Sequence, residues 1–388
     1  MKRQSTRIDR LPTNFFAELE TKIAAIQAQS GDVIRLDIGS PDLPPPPEAI
    51  NVLCSSARRP NHHGYQPHNG TAKLRQAWAE MYRDRFGVWL DENKNILPLI
   101  GSKEGIFNLT MAWANPGDTV LVPDPGYMTY ARGALFAGAK PYYFALHPQN
   151  AFLPDLTSIP QEVLKRAKML WLNYPNNPTT AIAALDFFKQ AVQFCLDYQL
   201  ILCHDASYSQ VCFEGYQAPS ILQIEGAIEC TVEFNSLSKS HNMAGWRTGV
   251  IVGNTEIIKP LIKLKTNLDS GHFRPILDGA AQALSTPESW LKARNEIYNQ
   301  RRSVVLKALK ALDLSAWSSP ATIYVWCSVP AGWTSLKFVE DVLEKVRVSL
   351  TPGTLFGQFG EGYFRIALTS PIEKLSEAMD RLSKWKEK

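Results

Sequence analysis

Short apolar runs alternate with helical patterns between about residues 96 and 253, and this alternation restricts the fold of the chain more than any other feature. Apolar runs of four to six residues are typical of strands that are buried on both faces. Because such strands joined by helices form parallel sheets, the pattern predicts an α/β fold with a mostly parallel, seven-stranded sheet sandwiched by helices. The predicted strands are 96–100, 119–122, 141–146, 168–173, 200–204, 231–236 and 249–253.

The segments between these strands carry helical periodicity. Ile106, Leu109 and Trp113 fall on one face of a predicted helix. Asp186 is the predicted N-cap of another helix, which ends near Tyr198. The connections between strands are therefore expected to be helical.

The pattern changes after about residue 275, which predicts a second, smaller α+β domain. A charged helical stretch over about 287–312 is followed by three apolar segments, and 33–38 is expected to add a strand near the domain junction. The three segments are 322–327, 346–350 and 363–368. The predicted division is an N-terminal arm with part of the small domain at 1–48, a large domain at 49–275 and a small domain at 276–388.

Composition and charge favour a globular protein over a disordered, fibrous, nucleic-acid-binding or membrane-spanning one. The chain has 388 residues, and its 41 basic and 37 acidic residues form no long basic run, so nucleic acid is not an expected partner. Neither a signal sequence nor a membrane span is expected, which predicts a cytoplasmic protein. The six cysteines are scattered and are expected to be buried and reduced, and His62, His63 and His68 are interpreted as loop residues rather than metal ligands.

Lys239 is the candidate nucleophile. Ligands of open α/β sheets bind beyond the carboxyl ends of the strands, and Lys239 follows the predicted strand 231–236. A desolvated lysine has a lowered ammonium pKa and serves as a nucleophile and then as a general base. The alternative is an exposed loop lysine, which the small, polar and aromatic flanking residues disfavour.

Asp205 ends an apolar strand, and Tyr208 follows it within reach of the same ligand. Asp205 is interpreted as a carboxylate that pairs with a cationic ring nitrogen of a bound ligand, because opposite charges stabilise each other. A turn-capping aspartate is the alternative.

Gly101, Ser102 and Lys103 join a predicted strand to a helix, where free backbone N–H groups suit a phosphate. Ser236 and Arg247 would complete that site with a hydroxyl and a guanidinium. An ordinary N-cap explains the turn equally well when it is taken alone.

Three further residues have both a functional and a structural interpretation. Tyr127 would stack on a ligand ring or pack in the core, and Asn177 would bind a ring oxygen or form a turn. Arg365 lies in the last apolar strand, where a charge needs an anionic partner. That partner is either a protein carboxylate or, as preferred here, the α-carboxylate of a substrate.

The segments that carry these residues resemble, in order, those of class I aminotransferases of the pyridoxal phosphate (PLP) fold-type I superfamily. The match covers nearly the whole chain. Within the family, segments 101–106 and 236–247 are most similar to those of prokaryotic LL-diaminopimelate and aspartate-type aminotransferases, including the succinyl-diaminopimelate group. The matching segments are 37–42 (DIGSPD), 64–70 (GYQPHNG), 101–106 (GSKEGI), 123–130 (PDPGYMTY), 173–179 (NYPNNPT), 204–208 (HDASY), 236–249 (SLSKSHNMAGWRTG) and 361–368 (EGYFRIAL).

The resemblance implies a PLP-dependent aminotransferase that moves an amino group between an amino acid and a 2-oxo acid by a ping-pong mechanism. It implies that Lys239 holds PLP as a Schiff base, with Asp205 on the pyridinium nitrogen and Tyr208 and Asn177 on the phenolate oxygen. The remaining implied cofactor-binding residues are Ser102, Lys103, Tyr127, Ser236, Ser238, Arg247 and, from the second subunit of a homodimer, Tyr65. Gly39, Asn177 and Arg365 are implied to bind the substrate.

The chain departs from the family pattern at three places: Thr180 replaces a usual Gly, Met128 replaces a frequent Pro, and Ser240-His241 replaces Thr or Ser followed by Phe or Tyr. These departures leave the identity of the substrate undecided. Lys103 would bind either a distal substrate carboxylate or only solvent. Acidic or diaminopimelate-type substrates are favoured. A carbon–sulfur β-lyase of the same fold is the alternative function. A serine acyl-transferase lacks its partner motifs, and a nicotinamide enzyme lacks its glycine-rich motif.

Overall fold

The computed structural model describes residues 4–9, 11, 15–317 and 319–386. Its strands are β1 (Ile34–Arg35), β2 (Ile96–Leu99), β3 (Thr119–Asp124), β4 (Lys140–Ala145), β5 (Ala167–Asn173), β6 (Ile201–Asp205), β7 (Thr231–Ser236), β8 (Gly249–Gly253), β9 (Ala316–Trp317), β10 (Tyr324–Ser328), β11 (Val348–Ser349), β12 (Thr351–Pro352) and β13 (Tyr363–Ala367). Its α-helices are α1 (Thr6–Asp9), α2 (Phe15–Ser30), α3 (Pro47–Ala57), α4 (Ala72–Phe86), α5 (Ser102–Trp113), α6 (Thr129–Ala137), α7 (Gln161–Leu164), α8 (Leu185–Asp197), α9 (Leu237–Ser240), α10 (Thr255–Lys265), α11 (Arg274–Leu284), α12 (Glu288–Ala311), α13 (Ser335–Val346) and α14 (Ile372–Lys386).

Seven strands form the large sheet, in the order β2-β8-β7-β6-β5-β3-β4. Strands β3 to β7 are parallel where they pair, and β8 runs antiparallel to both β7 and β2. All seven predicted strands are present, with bounds that differ from the prediction by at most two residues. The predicted mostly parallel sheet is therefore confirmed.

The apolar runs are continuous because the sheet is covered on both faces. In β5, Met169 and Trp171 join the core beneath α5, α6 and α10. The alternating residues Leu170 and Leu172 join a second core with α8 on the opposite face. A strand buried on both sides needs apolar residues at every position, so no polar alternation remains in the sequence.

One predicted helix start is wrong. Helix α8 begins at Leu185, with Ala184 as its N-cap residue, and Asp186 lies in the first turn. An acidic side chain in the first turn still interacts favourably with the positive end of the helix dipole. The sequence signal of an N-terminal aspartate was therefore real, but it marked a position inside the helix.

The remaining strands build a smaller α+β unit. Strands β12, β13, β10 and β9 form an antiparallel sheet in that order, and β1, the strand expected within 33–38, pairs in parallel with β11. Helices α12, α13 and α14 contribute to the core of this unit. The expected division between 275 and 276 falls inside α11, whose Leu277 and Ala281 pack in a core with residues of α4 and β2.

The cysteines are all free, but they are not all buried. Cys54, on α3, is exposed and Cys212 is half-buried, which corrects the expectation of six buried thiols. Cys54 lies on the solvent side of α3, whose other face carries the buried Ala49 and Ser56. Within the described ranges, no helix combines the length and apolar character needed to cross a membrane.

Candidate active site

A cavity of about 310 Å³ lies at the carboxyl ends of β5, β6 and β7 and faces strands β10 and β13 of the small unit. Every predicted site residue except Tyr65 lines it: Gly39, Ser102, Lys103, Tyr127, Asn177, Asp205, Tyr208, Ser236, Ser238, Lys239, Arg247 and Arg365. The rule that ligands bind beyond the carboxyl ends of parallel strands therefore located the cavity correctly.

Lys239 lies on the short helix α9, directly after β7. The Ser236 hydroxyl caps this helix by accepting the Ser238 N–H at 3.1 Å, and the Lys239 ammonium donates to the Gly39 carbonyl. Burial, followed by the charges of Arg365 and Arg247, lowers the pKa of Lys239 against an opposing effect of Tyr324. A lowered pKa increases the fraction of neutral amine, which is the nucleophilic form.

Asp205 is the last residue of β6, and its side chain is buried. The Tyr130 hydroxyl donates to one carboxylate oxygen at 2.8 Å, and the Ser207 hydroxyl donates to the other at 2.6 Å. Burial raises the pKa of Asp205, although the hydrogen bonds from Ser207 and Tyr130 act in the opposite direction. A cationic partner in the cavity would reverse this shift, because it stabilises the ionised carboxylate.

Cationic groups collect around the N-terminus of α5. Burial, followed by the charges of Arg132 and Arg247, lowers the pKa of Lys103. In the part of the chain that the structure describes, none of these three side chains forms an ion pair. Gly101 has φ +76°, and a Cβ atom there would lie 2.3 Å from a terminal nitrogen of Arg247. Cations without carboxylate partners beside free helix N–H groups form a site for an anion.

Arg365, on β13, is buried at the opposite end of the cavity. Its terminal nitrogens donate to the Asn177 side-chain oxygen at 2.8 Å and to the Asp37 carbonyl at 2.9 Å. Its guanidinium carbon lies 4.1 Å from the centre of the Tyr324 ring, and its buried Nε atom has no hydrogen-bond partner among the residues that the structure describes. No protein carboxylate within the described ranges pairs with Arg365, so the structural salt bridge considered from the sequence does not form there.

Tyr208 and Asn177 lie between Asp205 and Arg365. The Tyr208 hydroxyl is 3.0 Å from the Tyr324 hydroxyl. The Asn177 backbone N–H donates to the Asn173 side chain at 2.8 Å, and Asn173 in turn donates to the Asp205 carbonyl at 2.7 Å. Asn173 therefore fixes Asn177 relative to the end of β6.

Tyr127 and Tyr65 differ in their environments. Tyr127 is partly buried, and its ring lies 5.7 Å from that of Tyr130 in an edge-to-face arrangement. Tyr65 is 92% exposed and does not line the cavity of its own chain. Any contribution of Tyr65 to a cavity of this kind therefore requires another subunit.

The three departures from the family pattern have separate consequences. Thr180 has φ +64°, a left-handed conformation that glycine adopts at lower cost, and Met128 lines the cavity. His241 does not line it; its ring stacks on Trp290 at 5.9 Å. Burial, followed by the charges of Arg294 and Arg85, lowers the pKa of His241 to about 3, so this side chain is neutral near pH 7.

Sequence reasoning missed several residues of the cavity and its surroundings. Tyr130 and Ser207 lie inside segments that were singled out, and Ser207 stands two residues after Asp205, a spacing typical of a side chain that binds back to an aspartate. Tyr324 and Phe356 line the cavity from the small unit. No local signal identifies these two, because Tyr324 lies in an ordinary apolar strand and Phe356 in a glycine-containing turn.

A partly buried amine, a buried carboxylate and two cationic ends together form an enzyme site for small anionic ligands. The family model for aminotransferases of class I and II matches residues 31–382. The chain therefore belongs to this family and is an aminotransferase.

The chain is similar to named relatives along its length. It is 45% identical to an LL-diaminopimelate aminotransferase of Moorella thermoacetica, covering 98% of this chain and 97% of the relative. A probable N-succinyldiaminopimelate aminotransferase from Thermus thermophilus superposes with a TM-score of 0.91 at 35% identity, covering 96% and 100% of the two chains. A mutant aspartate aminotransferase from Thermus thermophilus gives a TM-score of 0.93 at 25% identity, covering 99% and 100%. These names differ in substrate, so the shared fold does not decide which amino acid is used.

Proposed function

We propose that this aminotransferase uses PLP attached to Lys239 and that LL-diaminopimelate is its amino-acid substrate. The observation that carries the cofactor proposal is the partly buried Lys239 amine in one cavity with the buried Asp205 carboxylate. The substrate proposal is supported by relatives of 42 to 46% identity over nearly the whole chain that bear that name.

Three features of the cavity fit PLP. The raised pKa of Asp205 calls for a cation, which a protonated pyridine nitrogen would provide. Among the described residues, the cations at α5 have no carboxylate partner, and they suit a phosphate. The amine of Lys239 has the lowered pKa that attack on an aldehyde requires. When bound, PLP supplies an aldehyde and an electron-withdrawing ring that stabilises negative charge at the substrate Cα.

The remaining roles, in binding the cofactor and moving the proton, would belong to residues of this chain. Ser102, Lys103, Ser236 and Arg247 would bind the phosphate, with Tyr127 against the ring and Ser238 beside Lys239. Asp205 would keep the ring nitrogen protonated, while Tyr130 and Ser207 hold its carboxylate in place. Lys239, once free, would take the proton from the substrate Cα and deliver it to the C4′ carbon of the cofactor.

Substrate binding is assigned to Gly39, Asn177 and Arg365. Arg365 has a buried Nε donor without a partner and no protein carboxylate within hydrogen-bond distance in the described residues, so it is available for an α-carboxylate. The Asn177 oxygen already accepts from Arg365, which leaves its amide N–H groups free to donate to the cofactor ring oxygen alongside Tyr208.

A borohydride experiment tests the cofactor assignment. The purified yellow protein is reduced, digested and analysed by mass spectrometry, and we expect a pyridoxyl adduct on Lys239 that is absent from Lys239→Arg. Lys103→Arg serves as the matched control, because Lys103 lies in the same cavity and should not carry the adduct. An adduct on any other lysine, or none, contradicts the assignment.

A substrate screen tests the reaction. LL-diaminopimelate, glutamate, aspartate and aromatic amino acids are each tested for conversion of the cofactor to its amino form, and we expect LL-diaminopimelate to react fastest. Parallel double-reciprocal plots are expected from two successive half-reactions. Release of pyruvate and ammonia without an amino acceptor would instead indicate the β-lyase.

We also propose that the active form is a homodimer in which Tyr65 reaches the partner's cavity. Tyr65, Leu268 and Phe273 are 92%, 58% and 44% exposed, and the Phe273 ring lies 5.5 Å from that of His63 near Tyr65. Exposed apolar groups of this kind are typical of a subunit interface.

Subunit mixing tests the dimer. Tyr65→Ala and Lys239→Ala are each expected to be inactive, but co-refolded subunits form hybrids with one intact site. Random mixing then restores roughly a quarter of the wild-type sites. No recovery in hybrids whose formation is verified by native mass spectrometry contradicts a shared site.

A further inference from the structure

Tyr324 is a cavity residue to which the proposed function assigns no role. It is the first residue of β10, is 4% exposed and lies against the cavity from the small unit. Its hydroxyl is 3.0 Å from that of Tyr208, which comes from the loop after β6. This contact joins the two units across 116 residues of sequence.

Close packing by neighbouring residues restricts the position of the Tyr324 hydroxyl. A Cβ atom at Gly39 would lie 2.0 Å from this hydroxyl oxygen, so only glycine leaves room for it. The guanidinium of Arg365 lies over the ring at 4.1 Å. The hydroxyl is therefore fixed in position by packing before any ligand arrives.

Two hydroxyl groups that face each other can share only one hydrogen bond, so one donates and the other keeps a free proton. Tyr324 lies beside the cations Arg365 and Lys239. A guanidinium offers no acceptor, so the Tyr208 hydroxyl oxygen is the acceptor that this contact gives to the Tyr324 proton. The proposed function uses the one proton of the Tyr208 hydroxyl for the cofactor ring oxygen. With a ligand bound, Tyr324 therefore donates and Tyr208 accepts.

We infer that Tyr324 is a positioning residue: its hydroxyl donates to that of Tyr208 and thereby directs the Tyr208 proton toward the ligand. A hydroxyl that accepts one hydrogen bond becomes a stronger donor of another. Tyr208 would then stabilise negative charge on the cofactor ring oxygen more strongly than an isolated tyrosine. This inference rests on the proposed PLP site.

The test is a pH titration of the visible absorbance of the PLP-loaded enzyme. A weaker hydrogen-bond donor at the cofactor ring oxygen stabilises the negative charge on that oxygen less. The midpoint of the absorbance titration therefore moves to higher pH. Tyr324→Phe removes the hydroxyl but keeps the ring over Arg365, and we expect an upward shift of about 0.3 pH unit; Tyr208→Phe should shift the midpoint by about 1 unit. The other charged or titratable groups of the cavity, Lys103, Tyr127, Asp205, Lys239, Arg247 and Arg365, are unchanged in both variants.

A double variant separates action through Tyr208 from a general structural effect. In a Tyr208→Phe background, Tyr324→Phe is expected to add no further shift. Tyr174→Phe is the matched control, because that buried hydroxyl donates to the Phe152 carbonyl at 2.7 Å outside the cavity, and its midpoint should equal that of the wild type. Thermal melting of each variant verifies that it is folded.

The outcomes distinguish the two proposals. An unchanged midpoint in folded Tyr324→Phe, or a shift that persists without the Tyr208 hydroxyl, overturns the role of Tyr324 and leaves the PLP site standing. A wild-type protein that shows no borohydride adduct at Lys239 overturns both.

Discussion

The cavity has an arginine at each end, and the two differ in how far the chain itself organises them. Arg365 is 4% exposed, donates to Asn177 and to a backbone carbonyl, and lies over the Tyr324 ring. Arg247 is exposed, has a left-handed backbone at φ +57°, and its side chain donates to the Ala244 carbonyl at 2.8 Å.

The difference in how rigidly the two arginines are held indicates that they bind anions in different ways. Arg365 is oriented before a ligand arrives, so its planar guanidinium can select a carboxylate by geometry. Arg247 acts with Lys103 and the N-terminus of α5, where charge matters more than orientation. We therefore expect substitutions at the Arg365 end to affect the substrate and those at the Arg247 end to affect the cofactor.

Among the substitutions that compare the two ends of the cavity, Arg365→Lys is expected to have the largest effect. Lysine keeps the charge but cannot reproduce the planar donor pair, and the buried partners lose their hydrogen bonds. We expect kcat/KM for the amino acid to fall at least ~30-fold, equivalent to about 2 kcal/mol, with unchanged PLP affinity. A loss below threefold would show that Arg365 is not the carboxylate site.

Gly101→Ala should have the next largest effect, and it acts at the opposite end. The added Cβ would displace the Arg247 side chain, which lies 2.3 Å away. We expect PLP affinity, measured by fluorescence titration, to fall about tenfold through loss of a charge-assisted hydrogen bond. Gly117→Ala is the control: Gly117 also has a positive φ, +93°, but a Cβ there meets open space. Equal losses in both variants would indicate general backbone strain.

Arg247→Lys should be milder than the same substitution at 365. Lysine serves a phosphate as a point charge, so we expect PLP affinity to fall only about threefold and kcat/KM at saturating PLP to remain within twofold. If Arg247→Lys and Arg365→Lys caused losses of equal size, the distinction between the two ends of the cavity would be wrong.

The smallest effect concerns Asp205, between the two ends. Because its folded-state pKa is raised, the PLP-free wild type loses stability as the pH rises from about 3.9, the ordinary aspartate pKa, through the folded-state value. Asp205→Asn removes that charge, and we expect the PLP-free variant to be about 0.5 kcal/mol more stable to urea at pH 7, with no gain at pH 3.

In the PLP-bound protein, Asp205→Asn should lower the stability to urea instead of raising it, because the variant then loses an ion pair with the cofactor. Asp197→Asn, on the exposed end of α8, is the control and should change neither form. A PLP-free Asp205→Asn protein that is less stable at pH 7 would mean that the Tyr130 and Ser207 hydrogen bonds outweigh burial.

Particular residues show how far sequence reasoning reached. Asp205 and Lys239 were predicted to share a site because each follows an apolar strand, and parallel strands bring their carboxyl ends to one edge. Tyr130, whose hydroxyl lies 2.8 Å from Asp205, was not predicted. Its position depends on how α6 packs on the sheet, where its ring stacks on Trp171 at 5.0 Å.

The sequence by itself determined the order of the strands along the chain, their apolar character and the reactive residues at their ends, because these follow from local pattern and from the geometry of parallel sheets. Only the tertiary structure decided that Arg365 has no carboxylate partner in the described chain and that Tyr324 meets Tyr208. Both facts depend on which face of a small-unit strand is turned toward the large sheet. That orientation is set by packing between segments far apart in sequence, and no local pattern contains it.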